Sequence, residues 1–290
     1  MAAFALFAAS APPPPPQPTQ RTRSRAAGVA VAGALVGAAA VCGAAGAAVP
    51  RPATAPVLGV ARKPTQSYWS EMWDSNRLGF HNSDVHNALV KYRAPFLGDA
   101  PGRVLVPLCG KTVDLAWLAA QPGVTGVTGV EFVKKAVDDY AKEHPQALLR
   151  KAPSPAGRLF KHVLSNGVLT LLCGDIFSLP KTPAYERVWD RSALVALDPA
   201  QRQAYVATIC QALSPKGKIL LQTLTRAAGP AESRAAGPPF SVSEADVAAL
   251  YGAAFEVRKL EEVDALKSSP KFAAEGLTKV TASTYLLTKK

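Results

Sequence analysis

Residues 103–115, Arg-Val-Leu-Val-Pro-Leu-Cys-Gly-Lys-Thr-Val-Asp-Leu, constrain the fold more than any other stretch of the chain. The apolar, β-branched run from Val104 to Val106 predicts a buried strand. Pro107 cannot donate to a sheet, so the strand should end there. Gly110 permits a tight turn and a close backbone approach by a ligand. Thr112 or Asp114 can start a helix whose apolar positions are Val113, Leu115, Ala116, Leu118 and Ala119. Strand, glycine turn and helix in that order make the first unit of a nucleotide-binding α/β sheet.

The spacing says which nucleotide to expect. Gly110-Lys111-Thr112 resembles the end of a phosphate-binding loop, but the glycine that loop needs five residues earlier is Leu105. The dinucleotide fingerprint needs three spaced glycines, and only Gly110 is present. A ligand with no phosphate at the turn fits better, and S-adenosylmethionine is the common one.

The chain has 290 residues, 48% of them hydrophobic, which is enough for one domain with a large core. Its net charge is +12, of which six positive charges (Arg21, Arg23, Arg25, Arg51, Arg62 and Lys63) precede the first acidic residue, Glu71. The remaining +6 forms no dense basic stripe, so nucleic-acid binding is not expected. Residues 1–60 are rich in Ala, contain the Pro12–Pro16 run and carry basic residues without Asp or Glu. That is the composition of an organelle-targeting segment, cleaved or left outside the fold, with the chloroplast as first expectation and the mitochondrion as the alternative. Residues 26–49 are uncharged and long enough to cross a bilayer, which keeps a membrane anchor as a lesser alternative. Their Ala and Gly would bury little apolar area in lipid, so no stable insertion is expected after processing. The four cysteines, Cys42, Cys109, Cys173 and Cys210, form no C-x-x-C pair, and no Cys/His spacing suits zinc.

From residue 64 the chain reads as one domain to 290. Trp69 and Trp73 are four apart and share one helix face, with Phe80-His81 following Gly79. These rings are either a staple on the sheet or a flap over a flat ligand, and His81 is either a base or an exposed or capping residue. Gly126 to Glu131 predicts the second strand, with Glu131 at the carboxyl end that faces the ligand crevice. A carboxylate there can accept both hydrogen bonds of a ribose diol. Residues 145–158, with three prolines, predict a loop. A hairpin follows, with Leu159–Leu164 and Val168–Leu172 as arms about Asn166-Gly167. Asp175 ends the second arm as either an adenine acceptor or a helix cap, with Ile176 and Phe177 available to the ring. Tyr185–Asp190 predicts another parallel strand, leaving Arg191 at the crevice edge. A helix over Tyr205, Val206, Ile209 and Leu213 and a strand over Gly217–Leu224 come next. The Ala/Gly/Pro-rich segment from Arg226 to Pro239 predicts a mobile loop, and Phe255–Val263 and Thr281–Leu287 predict two closing strands.

Taken together, the Trp69/Trp73 pair with Phe80-His81, Pro107-Leu-Cys-Gly-Lys111, Gly129-Val-Glu131, Trp189-Asp-Arg-Ser-Ala-Leu-Val-Ala196 and Gly237-Pro-Pro-Phe240 resemble the thiopurine S-methyltransferase family. The resemblance covers about 67–288. It implies a class I methyltransferase fold, Rossmann-like, with a seven-stranded, mostly parallel sheet, one antiparallel strand and helices on both faces. It also implies S-adenosylmethionine as cofactor. On this resemblance Trp69, Trp73, Leu108, Gly110, Glu131, Asp175, Ile176 and Arg191 line the cofactor, and Phe80 and His81 lie on the substrate side. No catalytic residue is assigned, because a sulfonium methyl is already activated and alignment is the main requirement. Relatives acting on thiopurines place an arginine in the stretch corresponding to Leu266–Lys271, where this chain has Lys267 and Lys271.

The resulting expectation is methyl transfer to a small thiol by a protein acting as a monomer. Halide, thiocyanate or hydrosulfide ions and selenium or tellurium species are alternative acceptors. Relatives that methylate halides tend to have Pro-Gly-Cys-Gly at the turn, where this chain has Leu108. A methyltransferase fold kept only for binding is the alternative of another class.

Overall fold

The computed structural model describes residues 65–290 apart from 156, 161 and 268. The proposed targeting segment, the 26–49 stretch and Cys42 lie outside the described residues. Among those described, nine strands form one mixed sheet. They are β1 (Gly102–Pro107), β2 (Val124–Glu131), β3 (Arg150–Lys151), β4 (His162–Ser165), β5 (Leu169–Cys173), β6 (Tyr185–Arg191), β7 (Leu213–Ala228), β8 (Phe255–Asp264) and β9 (Lys279–Lys289). Their order across the sheet is β3-β4-β5-β2-β1-β6-β7-β9-β8. The five strands from β5 to β7 run parallel, and β9 returns antiparallel between β7 and β8.

This corrects the expectation of seven strands. Leaving out β3 and β4 recovers the seven; the two extra strands extend one edge because Asn166 turns the chain back on itself. Asn166 Oδ1 accepts from the backbone N–H groups of Val168 and Leu169, at 3.0 and 2.7 Å, and closes the β4–β5 hairpin. Arg150 and Lys151, inside the stretch expected to be loop, then pair antiparallel with β4. More than one strand is therefore antiparallel.

Side chains alternate along each strand and build a core on either face. Val104 and Val106 of β1 pack with Val127, Trp189 and Leu220 against helices α2 (Asn87–Lys91), α3 (Arg93–Leu97), α4 (Asp114–Ala119) and α5 (Lys134–Glu143). Leu105, Val188, Ile219 and Leu221 face the other way, onto α7 (Arg202–Ala212) and α9 (Glu244–Tyr251). Helices α1 (Gln66–Asp74), α6 (Ala193–Ala196), α8 (Ala231–Ala235) and α10 (Pro270–Ala274) lie at strand ends and in connections.

The segment from Arg226 to Pro239 is not the mobile loop its composition predicts. β7 continues to Ala228, α8 follows, and the buried Phe240 ring anchors the far end. Arg226 is the reason. Its buried guanidinium donates to the carbonyls of Pro239 (3.1 Å) and Ser233 (2.8 Å) and to Glu275 of the α10 segment (2.6 Å).

A buried carboxylate fixes the crevice from below. Asp114, at the start of α4, is 1% exposed. Its Oδ1 accepts from the His86 backbone N–H and its Oδ2 from the Trp189 indole N–H, both at 2.9 Å. One side chain thereby joins the first helix of the sheet, the segment before α2 and β6. An Asp114→Ala variant leaves both donors without a partner. It should lose about 3 kcal/mol of stability, read as a fall in the urea midpoint at unchanged m-value.

Candidate active site

The floor of the crevice is the turn after β1. Leu108 and Gly110 both adopt left-handed backbone conformations, with φ of 46° and 54°. A leucine held there is strained, and such strain persists where the surroundings impose it. Here the Cys109 N–H donates to the Val130 carbonyl at 3.0 Å, and the Gly110 N–H donates to Glu131 Oε2 at 2.8 Å. The other carboxylate oxygen, Oε1, accepts from the Val133 N–H at 2.8 Å. Glu131 thus ties together the turns that follow two adjacent strands. Burial pushes its pKa up, and the N–H groups of Val133, Gly110 and Phe132 oppose that rise. A carboxylate offers about four lone-pair directions, so these two hydrogen bonds leave acceptor capacity for a ligand diol.

The lid lies over this floor. Thr65 caps α1 by accepting from the Tyr68 N–H, and the helix carries Trp69 and Trp73 on one side. Trp73 is buried, with its ring 3.2 Å from where a Cβ on Gly110 would sit. Phe80 meets both indoles edge to face, at 5.7 and 5.9 Å between ring centroids, and the group packs on Val133 and Ala136. The packing realises the staple expected from the sequence, with the Trp73 ring resting against the glycine turn.

The remaining strand ends carry Asp175, Ile176 and Arg191. Asp175 is exposed and caps a short 3-10 turn, accepting from the Phe177 N–H at 3.0 Å, so the cap geometry is realised. Ile176 is buried in the same core cluster that Leu108 packs against. Asp190 and Arg191 point to opposite sides, as adjacent strand residues must. Asp190 is fully buried and accepts from the Tyr205 hydroxyl at 2.7 Å. Burial raises its pKa to about 6 against the hydrogen bonds from Tyr205, Leu194 and Ala193. Arg191 stays at the crevice and, among the described residues, makes no hydrogen bond or salt bridge. Burial lowers its pKa, and the Asp114 charge opposes that.

The structure thus brings Trp69, Trp73, Phe80, Leu108, Gly110 and Glu131 together at the ends of β1 and β2. The Arg191 charge is one of those that lower the His81 pKa, after burial and Lys111. Asp175 lies at the end of the neighbouring strand β5, where the Gly174 N–H donates to the Glu131 carbonyl at 2.8 Å. In the stretch Leu266–Lys271, Ser268 lies outside the described residues and Lys271 Nζ sits 5.0 Å from the centre of the Phe272 ring. Sequence reasoning missed Asp114 as a network centre; a carboxylate among the apolar positions of α4 was the available signal. It also missed Arg226, for which an arginine inside an apolar strand pattern was the signal. His86, whose ring nitrogen caps α2 by accepting from the Ala88 N–H, carried no distinguishing sequence mark.

No group of three or more His, Cys, Asp or Glu side chains able to hold a metal occurs among the described residues. The floor suits a flat, uncharged ring with a diol: a backbone turn that admits no Cβ, a carboxylate beside it and indoles above.

The model of the thiopurine S-methyltransferase family matches residues 64–290. The chain belongs to this family. Family relatives are close along their whole length: the thiopurine S-methyltransferase of Nitrosospira multiformis is 37% identical over 228 residues, covering 77% of this chain and 97% of the relative. That of Xanthomonas campestris pv. campestris is 38% identical over 225 residues, covering 76% and 97%. Family membership makes the chain an S-adenosylmethionine-dependent methyltransferase. Among solved structures, the SpnF cyclase superposes with a TM-score of 0.56 at 16% identity, over 80% of this chain and 98% of that one. A Burkholderia thailandensis 1,6-didemethyltoxoflavin-N1-methyltransferase, solved with S-adenosylhomocysteine, gives 0.51 at 17% identity, over 83% and 93%. These two likenesses establish the fold, and since one is a cyclase the fold alone does not set the reaction.

Two substitutions test the floor. Glu131→Ala should weaken S-adenosylmethionine binding about 100-fold by calorimetry, because a charged acceptor is lost and the Gly110 turn is released. Gly110→Ala should weaken it comparably, because the Cβ is strained at positive φ and displaces the Trp73 ring.

Proposed function

We propose that this chain moves the methyl group of S-adenosylmethionine to the sulfur of a small thiol. The Arg191 guanidinium carries the reading. It sits at the carboxyl end of β6, half-buried, and makes no hydrogen bond or salt bridge among the described residues. A desolvated cation without a partner is costly to keep, and an anion arriving in the crevice removes that cost. A thiol reacts as its thiolate, and a nearby cation favours that form. In this reading Gly110, Leu108 and Glu131 hold the cofactor from below, with Glu131 on the ribose. Trp69 and Trp73 exclude water from above, and Asp175 and Ile176 border the adenine. Phe80 faces the acceptor. When bound, the cofactor supplies an activated methyl, and the residues of the chain align and desolvate the nucleophile.

The acceptor is a small molecule, and the protein acts as a monomer. Residues 1–60, basic and free of acidic side chains, act as a chloroplast-targeting segment. A fluorescent protein fused after residue 63 should collect in chloroplasts; accumulation in mitochondria selects the other organelle, and a cytosolic signal removes the targeting role.

The decisive assay offers the protein S-adenosylmethionine with a panel of thiols, halide ions and selenols and measures S-adenosylhomocysteine formed. Thiols should turn over, with kcat/KM falling about 100-fold in Arg191→Ala. Turnover of halides alone would replace the thiol by an inorganic anion. Binding of the cofactor without turnover of any acceptor would leave a binding protein.

A further inference from the structure

The four histidines of the chain have sharply different surroundings. His86 accepts from the Ala88 N–H through Nδ1 and lies against the Trp189 ring. His144 stacks on Tyr140 at 4.2 Å, with Nδ1 3.1 Å from the Tyr140 carbonyl. His162 Nε2 lies 3.1 Å from Asp138. Each of these rings is occupied with holding the fold. The His81 ring has no hydrogen bond, ion pair or stacking partner among the described residues, although its backbone is fixed by the bond from its N–H to the Leu78 carbonyl at 2.8 Å.

Its position is equally distinct. His81 follows Phe80, whose ring is clamped by Trp69 and Trp73 above Gly110. The imidazole is half-buried, on the segment that the Phe80 ring anchors above the turn after β1. The charged and titratable groups whose charges act on it are Lys111 from the β1 turn, Arg191 from β6, and Glu143 and His144 from the end of α5. Glu143 is already taken by Lys111, at 2.5 Å. Among the described residues no carboxylate is hydrogen-bonded to the ring, and burial and then the Lys111 charge push the His81 pKa below its ordinary value against the Glu143 charge. The imidazole is neutral at neutral pH and has an unused acceptor nitrogen.

We propose that His81 is the general base of the reaction, a role that rests on the thiol reading above. The acceptor S–H donates its proton to an imidazole nitrogen. The sulfur electron pair forms the new bond to the methyl carbon as that carbon's bond to the sulfonium sulfur breaks. S-adenosylhomocysteine and the thioether leave, and the imidazolium passes its proton to water. Arg191 faces the sulfur as negative charge develops, and the depressed pKa of His81 returns it to the basic form between turnovers. The step matters for acceptors whose thiol is mostly protonated at neutral pH, such as aliphatic thiols with pKa near that of cysteine, about 8.5.

The test compares the full-length wild type with His81→Ala and His81→Gln on two acceptors, an aliphatic thiol and an aromatic thiol that is already a thiolate at the assay pH. With the aliphatic thiol at neutral pH, both variants should lose about 100-fold in kcat/KM. The ascending limb of its pH profile should move from below 6.5 up to the pKa of the thiol itself. With the aromatic thiol the loss should stay within about threefold, the contribution of a base being absent there. Calorimetric affinity for S-adenosylmethionine should be unchanged. In NMR titrations of wild type loaded with S-adenosylhomocysteine, adding the aliphatic thiol should raise the His81 pKa by about one unit or more, because the ring then faces an anion. Equal losses on both thiols, a weakened cofactor affinity, or a His81 titration indifferent to the thiol would each overturn the assignment and leave His81 as a lid residue. A wild type inactive on both thiols overturns the thiol reading itself, and the base with it.

Discussion

Glu131 accepts a hydrogen bond from Gly110 with one oxygen and from Val133 with the other, and the crevice exists because of that bridge. The two donors belong to the turns after neighbouring parallel strands, which otherwise diverge at their carboxyl ends. A neutral side chain of the same length would pair less strongly with both, since charge-assisted bonds are roughly twice as strong. Burial works against the charge, and the backbone N–H groups around it offset that penalty. The carboxylate proposed to meet the cofactor is thus also the one that holds the turns after β1 and β2 together.

A second carboxylate does the corresponding work one layer down. Asp114 joins α4, the segment before α2 and β6 through two donors. It also supplies the negative charge that Arg191 feels from within the protein. The helix after β1, the segment before α2 and β6 are consequently connected through buried polar contacts as well as by the apolar cores. Buried polar networks of this kind specify one arrangement, because any alternative packing strands a donor.

The sequence made the parallel centre of the sheet legible. Strands such as Val104–Val106 and Val127–Val130 are continuous apolar runs, and the Pro107 and Gly110 signals between strand and helix are local. It made the Asn-Gly hairpin legible for the same reason. β3 was not legible, because Arg150 and Lys151 carry no apolar face and pair only because the hairpin offers them an edge. The segment from Arg226 to Pro239 misled, because composition describes what a chain does without tertiary partners, and Glu275, the decisive one, lies 49 residues away. Among the candidate site residues, the strand-end positions of Glu131 and Arg191 were legible. Asp175 could be placed but not assigned, since capping and ligand binding draw on the same chemistry. The state of the His81 ring was beyond reach, because being unpartnered depends on where every other group has gone.

The Arg226 knot has a bearing on how such enzymes diversify. One guanidinium stitches the end of β7, the α8 turn, the Gly-Pro-Pro-Phe loop and the α10 segment into a single rim. Phe272 packs beneath it, with the guanidinium 5.2 Å from the ring centre. Neither segment of the rim can be exchanged for a relative's version independently of the other, since the arginine takes two of its acceptors from one and the third from the other, and losing either set leaves charge buried. A change of acceptor by loop replacement is therefore a two-part inheritance: the 229–240 and 265–278 stretches travel together or the rim comes apart.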